Sequence, residues 1–283
     1  MFHLRFVAAG FCYHYSLYFL VLKCTRVCEA LKTRLDEYEK RSFSKRFVEM
    51  VRGILATIVG IHAMHSCSVD ILHDQDPFVD SFISFGITFF VYDIQAMYWT
   101  HRAKLGAGIV GFIEKKWPYI VHHGVIAFII GPFVITYRRD MGDYFFGCFM
   151  ISDLAVVLLC ICLLMRQAHL DDVYNLLYVG CGILLAVVFL LCRVLIFPFM
   201  YWRYAKWRGY STILEGMREI PWFCNGSCLL IFLPQVYWFL VIAGKLVQRA
   251  VRYANSDESS VALNDTKVRP QIEAERQQEK KTH

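Results

Sequence analysis

Two adjacent histidines, His122 and His123, stand inside the otherwise almost wholly apolar run 119–137 (YIVHHGVIAFIIGPFVITY), and Asp153 lies deep in the next apolar run. Ionisable groups are costly in hydrocarbon, so they face a bundle interior, a wet cavity or a partner. Imidazole near neutral pH can take up a proton or attack as a nucleophile, and a carboxylate can orient it. The pattern therefore points to chemistry, or to recognition of something polar, inside a membrane. Adjacent helical residues point about 100° apart, so one histidine lines a cavity while the other bonds a neighbouring helix. His122 shares a face with Ile126, Ile129 and Phe133, and His123 with Ala127 and Ile130. Nothing in the pattern decides between them.

The composition says what must hold these groups. The chain is 57% hydrophobic, 16% aromatic and 19% charged, with a mean hydropathy of +0.42. Soluble domains run nearer 45–50% apolar, with about 25% charged. The apolar residues fall into blocks of roughly 18–26, the length a helix needs to cross about 30 Å of hydrocarbon. Seven spans are predicted, at 4–22, 47–64, 78–99, 119–137, 144–165, 174–199 and 222–247. Tyr98, Trp99, Trp117, Tyr119, Tyr137, Tyr201, Trp202 and Trp222 cluster at span ends, as interfacial belts do. The fold class is all-α: a polytopic membrane protein whose last six spans form a bundle with an internal cavity. The predicted organisation is an N-terminal anchor helix (1–22), a basic segment (23–46), the six-helix domain (47–248) and a polar tail (249–283). The first span has no small-residue cleavage site and reads as a retained anchor.

Charge sets the expected orientation. The segment after the first span carries Lys23, Arg26, Lys32, Arg34, Lys40, Arg41, Lys45 and Arg46, whereas 65–77 has only Asp70, Asp74 and Asp76. Arg102, Lys104, Lys115 and Lys116 mark the third connection. By the positive-inside rule the first and third connections are cytosolic and the second lumenal or external. The C-terminus is then cytosolic, although Arg203, Lys206, Arg208 and Arg218 in the sixth connection run against this. The net charge of +6 thus reports topology rather than nucleic-acid binding. The tail from Arg249 is polar, mixes charges and lacks aromatic residues beyond Tyr253, which predicts disorder. Its ending, Lys280-Lys281-Thr282-His283, matches a dilysine address read by coat-protein retrieval machinery, implying an endoplasmic-reticulum membrane protein with cycling through the Golgi. Of the eleven cysteines, most lie within apolar runs, and Cys24 and Cys28 have no matching second pair. No metal site is predicted.

Counting from the predicted ends puts His122 and His123 about one turn inside the cytosolic face, only ~6 Å from the level of Asp153. The short connection 138–143 predicts that their helices are antiparallel neighbours, which makes a contact between the pair and Asp153, direct or through water, feasible. Asp93 and Arg52 fall at a similar level, as cavity residues or as an ion pair with each other. Arg193 lies nearer the lumenal face, where it can snorkel.

The His-His pair followed by an Asp in the next span resembles the TLC domain (TRAM, LAG1 and CLN8 homology), over about residues 47–247. The Tyr92-Asp93 dyad and the stretches GDYFFGCFMISD, CRVLIFPFMYW and LPQVYWF look like one branch of it, the TLC-domain-containing protein 3 group. The resemblance implies a link to ceramide synthases, which transfer an acyl group from acyl-CoA to a sphingoid base. It makes His122 or His123 the base or acyl carrier and Asp153 the orienting carboxylate. Arg52, Tyr92, Asp93 and Arg193 would line the substrate cavity. Acyl-CoA is then the co-substrate with no bound cofactor, and the partners are membrane lipids: sphingoid base, acyl-CoA and ceramide. Arg102, Lys104, Lys115 and Lys116 either meet the CoA phosphates or simply mark topology. One departure stands out: ceramide synthases carry His-Asp where this chain has Phe149-Met150. That favours an alternative, a non-catalytic protein that binds or senses lipid and regulates membrane composition. A seven-span receptor fits the helix count but not the dilysine ending. Labelling of intact cells is expected to miss the chain; a strong plasma-membrane signal would restore the receptor reading.

Overall fold

The computed structural model describes residues 4–106, 108–137, 141–170 and 173–279. Among them every regular element is helical: α1 (Leu4–Val27), α2 (Glu29–Lys32), α3 (Glu37–Ser66), α4 (Pro77–Leu105), α5 (Ile109–Val125), α6 (Gly131–Tyr137), α7 (Asp143–Ile151), α8 (Leu154–Gln167), α9 (Asn175–Phe189), α10 (Ile196–Arg208), α11 (Ile213–Glu219) and α12 (Trp222–Glu279). Two π-helical turns, Ile126–Ile130 and Leu190–Val194, join α5 to α6 and α9 to α10. Seven stretches are long and apolar enough to cross a membrane: Leu4–Val27, Glu37–Ser66, Pro77–Leu105, Ile109–Thr136, Asp143–Gln167, Leu176–Arg208 and Trp222–Arg249. This all-helical, seven-span architecture is the one the hydropathy predicts. The fourth starts earlier than predicted, because its first turns carry Glu114, Lys115 and Lys116 and helix formation does not stop where hydropathy does.

Local signals fix the helix ends. Asp36 accepts a hydrogen bond from the Glu39 amide at 2.7 Å while the Asp36 amide donates to the Glu39 carboxylate at 3.0 Å, a capping box that starts α3 inside the basic segment. Asp76 caps α4, which has Pro77 in its first turn and ends at Gly106 in the left-handed conformation (φ 62°), the expected Pro-start and Gly-stop asymmetry. The Asp76 carboxylate also accepts from Ser66 Oγ and meets His62 Nδ1, both at 2.6 Å, and its amide donates to Asp143 at 2.7 Å. One residue thus ties the end of α3 to the starts of α4 and α7. Burial alone would raise the Asp76 pKa, but Ser66, the Phe78 amide and His62 outweigh it and hold the carboxyl below the usual range.

Packing is organised around α3, which touches α1, α4, α7 and α8; α4 in turn carries α5 and α6, and α8 carries α9. Gly53, Ala56, Gly60 and Ala63 form a stripe of small residues along α3, the feature that lets membrane helices approach closely. A Cβ on Gly60 would lie 2.7 Å from the Gly147 carbonyl, and one on Gly147 would lie 2.8 Å from the Gly60 carbonyl. The fourth and fifth spans are therefore not the packing partners their short connection predicts. The stripe draws α7 and α8 onto α3, while Gly131 seats Ile87 of α4 and holds the fourth span there. Outward-facing Phe128, Leu176, Leu184 and Leu230 are exposed, as side chains meeting hydrocarbon would be.

The chain divides into two compact units, Met1–Gln235 and Val236–His283. The second is a single helix as far as Glu279, where the composition predicts a disordered tail from Arg249. Its many Ala, Glu, Gln, Arg and Lys residues have strong intrinsic helix propensity. Lys280 and Lys281 lie outside the described residues. Gly60→Leu or Gly147→Val should lower stability by about 1–3 kcal/mol or more through overpacking, read as a fall in melting temperature in detergent. Gly180, whose Cβ would meet nothing within 4 Å, should tolerate Ala or gain about 0.5–1 kcal/mol. Equal shifts at all three positions would remove the close-approach account of α3 and α7.

Candidate functional site

Lys45, Glu49 and Arg52 recur at i, i+4 and i+7 on α3, which puts three ionisable groups on one face. Each finds a partner on another helix or a neighbouring turn. Lys45 Nζ lies 2.8 Å from Asp93 Oδ1 of α4 and 3.5 Å from Glu49. Arg46 closes on Glu49 at 2.8 Å. The other oxygen of Asp93 lies 3.2 Å from His123 Nδ1. Nδ1 makes no hydrogen bond of good geometry there. His123 is 16% exposed and its ring meets Phe90 edge-on at 5.4 Å. With Nδ1 turned to a carboxylate, Nε2 is the nitrogen left to act.

Asp153 serves a different group. Its carboxylate receives Arg52 at 2.9 Å and Arg193 at 3.5 Å. Arg193 also donates from Nε to the Ser152 carbonyl at 3.0 Å and from Nη1 to Gln235 Oε1 at 3.1 Å. Arg52 lies over the Phe89 ring at 4.4 Å. The backbone makes this meeting possible. Between α7 and α8 the amides of Ser152 and Asp153 bond three residues back, to Phe149 and Met150, and this tightened turn delivers both the Asp153 side chain and the Ser152 carbonyl to Arg193. Arg193 itself sits in the second π turn, and the first π turn follows the His-His pair within a few residues. Such turns frequently mark functional positions in membrane and soluble helices alike.

The structure thus re-sorts the predicted residues. The carboxylate beside the histidines is Asp93 and not Asp153. Arg52 pairs with Asp153 rather than Asp93. Arg193 reaches inward to three acceptors instead of snorkelling, because Asp153 and Gln235 offer it a better-satisfied place than the interface. Tyr92 is fully buried, with its ring 5.8 Å from His14 and 5.4 Å from Tyr15 of α1; it packs towards α1, whereas its neighbour Asp93 faces Lys45 and His123. His122 is exposed, 5.5 Å ring to ring from His123. Phe149 and Met150 are packing residues: Phe149 meets Phe197 at 5.8 Å, and Met150 joins Ala56, Ala63 and Val79 in a buried cluster.

Sequence reasoning missed Lys45, which it took as a topology marker, and Glu49; their spacing with Arg52 was the available signal. It also missed His14, buried on α1 with Nδ1 3.1 Å from Thr88 Oγ1, to which the same cost argument as for His122 applies. Among the described residues no three His, Cys, Asp or Glu side chains are placed to share a metal ion.

Residues 42–243 match the sequence model of the TRAM, LAG1 and CLN8 family, described as the TLC domain. No solved structure matches the chain.

Breaking a buried ion group by removing one member costs about 3–5 kcal/mol. Asp153→Ala should therefore destabilise strongly, since Arg52 and Arg193 then face each other without a carboxylate. In Asp153→Ala/Arg193→Met the loss should fall short of the sum of the single losses. Thermal unfolding of the three variants in detergent measures this, and strict additivity would separate the two residues energetically.

Proposed function

The chain belongs to the TLC-domain family, which gives it a membrane lipid-related function, and we propose that it acts in ceramide or sphingolipid metabolism as an N-acyltransferase of the endoplasmic reticulum. The observation that carries this reading is the His123–Asp93 pair: an imidazole with one nitrogen 3.2 Å from a buried carboxylate and the other left to act. In this reading Nε2 of His123 takes the proton from the amine of a sphingoid base. The amine nitrogen attacks the thioester carbon of acyl-CoA, the N–C bond forms and the C–S bond breaks. The imidazolium, held by Asp93, returns the proton to the departing sulfur. His122, exposed beside it, orients substrate. Asp93 here takes the role that the resemblance to ceramide synthases assigns to Asp153. Acyl-CoA enters as substrate from the basic end of the bundle, taken as cytosolic.

Microsomes bearing the wild-type chain should form ceramide from labelled acyl-CoA and sphingoid base. His123→Ala should cut the rate by about 10²–10⁴, the usual contribution of a general base. Asp93→Asn should slow it as well, and His122→Ala less. Full activity in both His123→Ala and Asp93→Asn would sink the catalytic reading.

A second reading rests on a separate observation. Phe149 and Met150 build apolar contacts where ceramide synthases carry His-Asp, and in this reading binding replaces the chemistry. The chain would then bind or sense lipid and regulate membrane composition. It predicts retained lipid on the purified protein and no turnover in the same assay.

A further inference from the structure

The charged residues of these two clusters do not balance. Lys45, Arg46, Arg52 and Arg193 are four cations, whereas Glu49, Asp93 and Asp153 are three carboxylates. Glu49 and Asp93 are taken up by Lys45, Arg46 and His123. The excess positive charge therefore sits where two guanidiniums share Asp153. Donors are left over there too. A guanidinium offers five N–H groups. Arg193 has acceptors at Ser152, Gln235 and Asp153, one for each of its nitrogens. Arg52 meets Asp153 through Nη2, lies under Phe89 on one face, and keeps a buried Nε with no partner. A buried unpaired donor beside an uncompensated charge is doubly costly in hydrocarbon.

The group is also not sealed. Asp153 and Arg193 side chains each remain 16% exposed. Leu191, in the same π turn as Arg193, is exposed as well. Arg52 stands five residues into the predicted second span, ~8 Å inside its basic end. An amphiphile with a compact anionic head and a single alkyl tail fits there, with its tail among apolar side chains.

We propose that Arg52 and Arg193, flanking Asp153, seat the carboxylate of a long-chain fatty acid. One negative charge matches the one positive charge in excess, and the two carboxylate oxygens take the Arg52 Nε and a remaining N–H of Arg193 as charge-assisted bonds. The seat lies in the same bundle as the proposed acyl-transfer site but does not depend on turnover. Absence of ceramide formation leaves it standing, and absence of binding removes it without touching the transferase reading.

The test is equilibrium binding of labelled palmitate to the purified full-length protein in nanodiscs, with hexadecanol and dioleoyl phosphatidic acid as competitors. Palmitate should bind saturably, hexadecanol should compete at least tenfold more weakly, and phosphatidic acid should not displace it. Arg193→Gln should weaken palmitate at least tenfold, with Arg193→Lys recovering part of the loss. Asp153→Asn, which removes the competing carboxylate, should tighten it. Equal competition by palmitic acid and hexadecanol on the wild-type protein overturns the proposal, whatever the variants do. Displacement by phosphatidic acid overturns the carboxylate assignment, and unchanged binding in Arg193→Gln overturns the seat.

Discussion

A single face of α3 places a lysine, a glutamate and an arginine in a medium that cannot solvate them, and the bundle is arranged to satisfy that face. A charge among apolar helices needs a partner: Glu49 finds Lys45 and Arg46 on its own helix, and the other two reach across to neighbouring helices. Lys45 draws Asp93 and with it α4; Arg52 draws Asp153 and with it the turn between α7 and α8. The adjacent small-residue face of α3 lets those helices come close enough to deliver their carboxylates, with Gly60 against Gly147 and Gly53 against the Asp153 carbonyl. Polar demand and steric permission thus sit side by side on one helix, and neither would suffice alone.

The helices depart from regularity where the polar groups meet. The π turns at Ile126–Ile130 and Leu190–Val194 and the tightened turn at Ser152–Asp153 all adjoin residues of the two ion groups. In a bilayer, an irregular turn is tolerated only where its backbone groups find partners inside the protein. Here the Ser152 carbonyl accepts from Arg193, so one break in a helix becomes part of the arginine's coordination. Charge pairing and backbone irregularity support each other, and the result is two separate polar groups rather than one continuous chain.

The existence and level of these groups were legible in the sequence. A charged residue in an apolar run is visible at once, and a helical rise converts position into depth, which is why His123, Asp93, Arg52 and Asp153 were all predicted at a similar level. Their pairing was not legible. Depth fixes one coordinate, while partner choice depends on rotation of each helix about its axis and on which helices are neighbours. Loop length suggested that the fourth and fifth spans pack together, yet Ile87 against Gly131 and the glycines of α3 assign them to α4 and α3. Lys45 was passed over because a lysine near a span end has a sufficient explanation in topology.

What the sequence alone determined is the class of molecule and its currency: seven apolar helices, membership signals spread over most of the chain, and a handful of ionisable residues too costly to be idle. Those follow from composition and period, which are local properties. Which carboxylate holds which histidine, and that two arginines share one aspartate with charge to spare, were decided only by tertiary packing. The reason is that electrostatic partnership in hydrocarbon falls to whichever group the close approach of backbones presents, and close approach is set by small residues far apart in the chain.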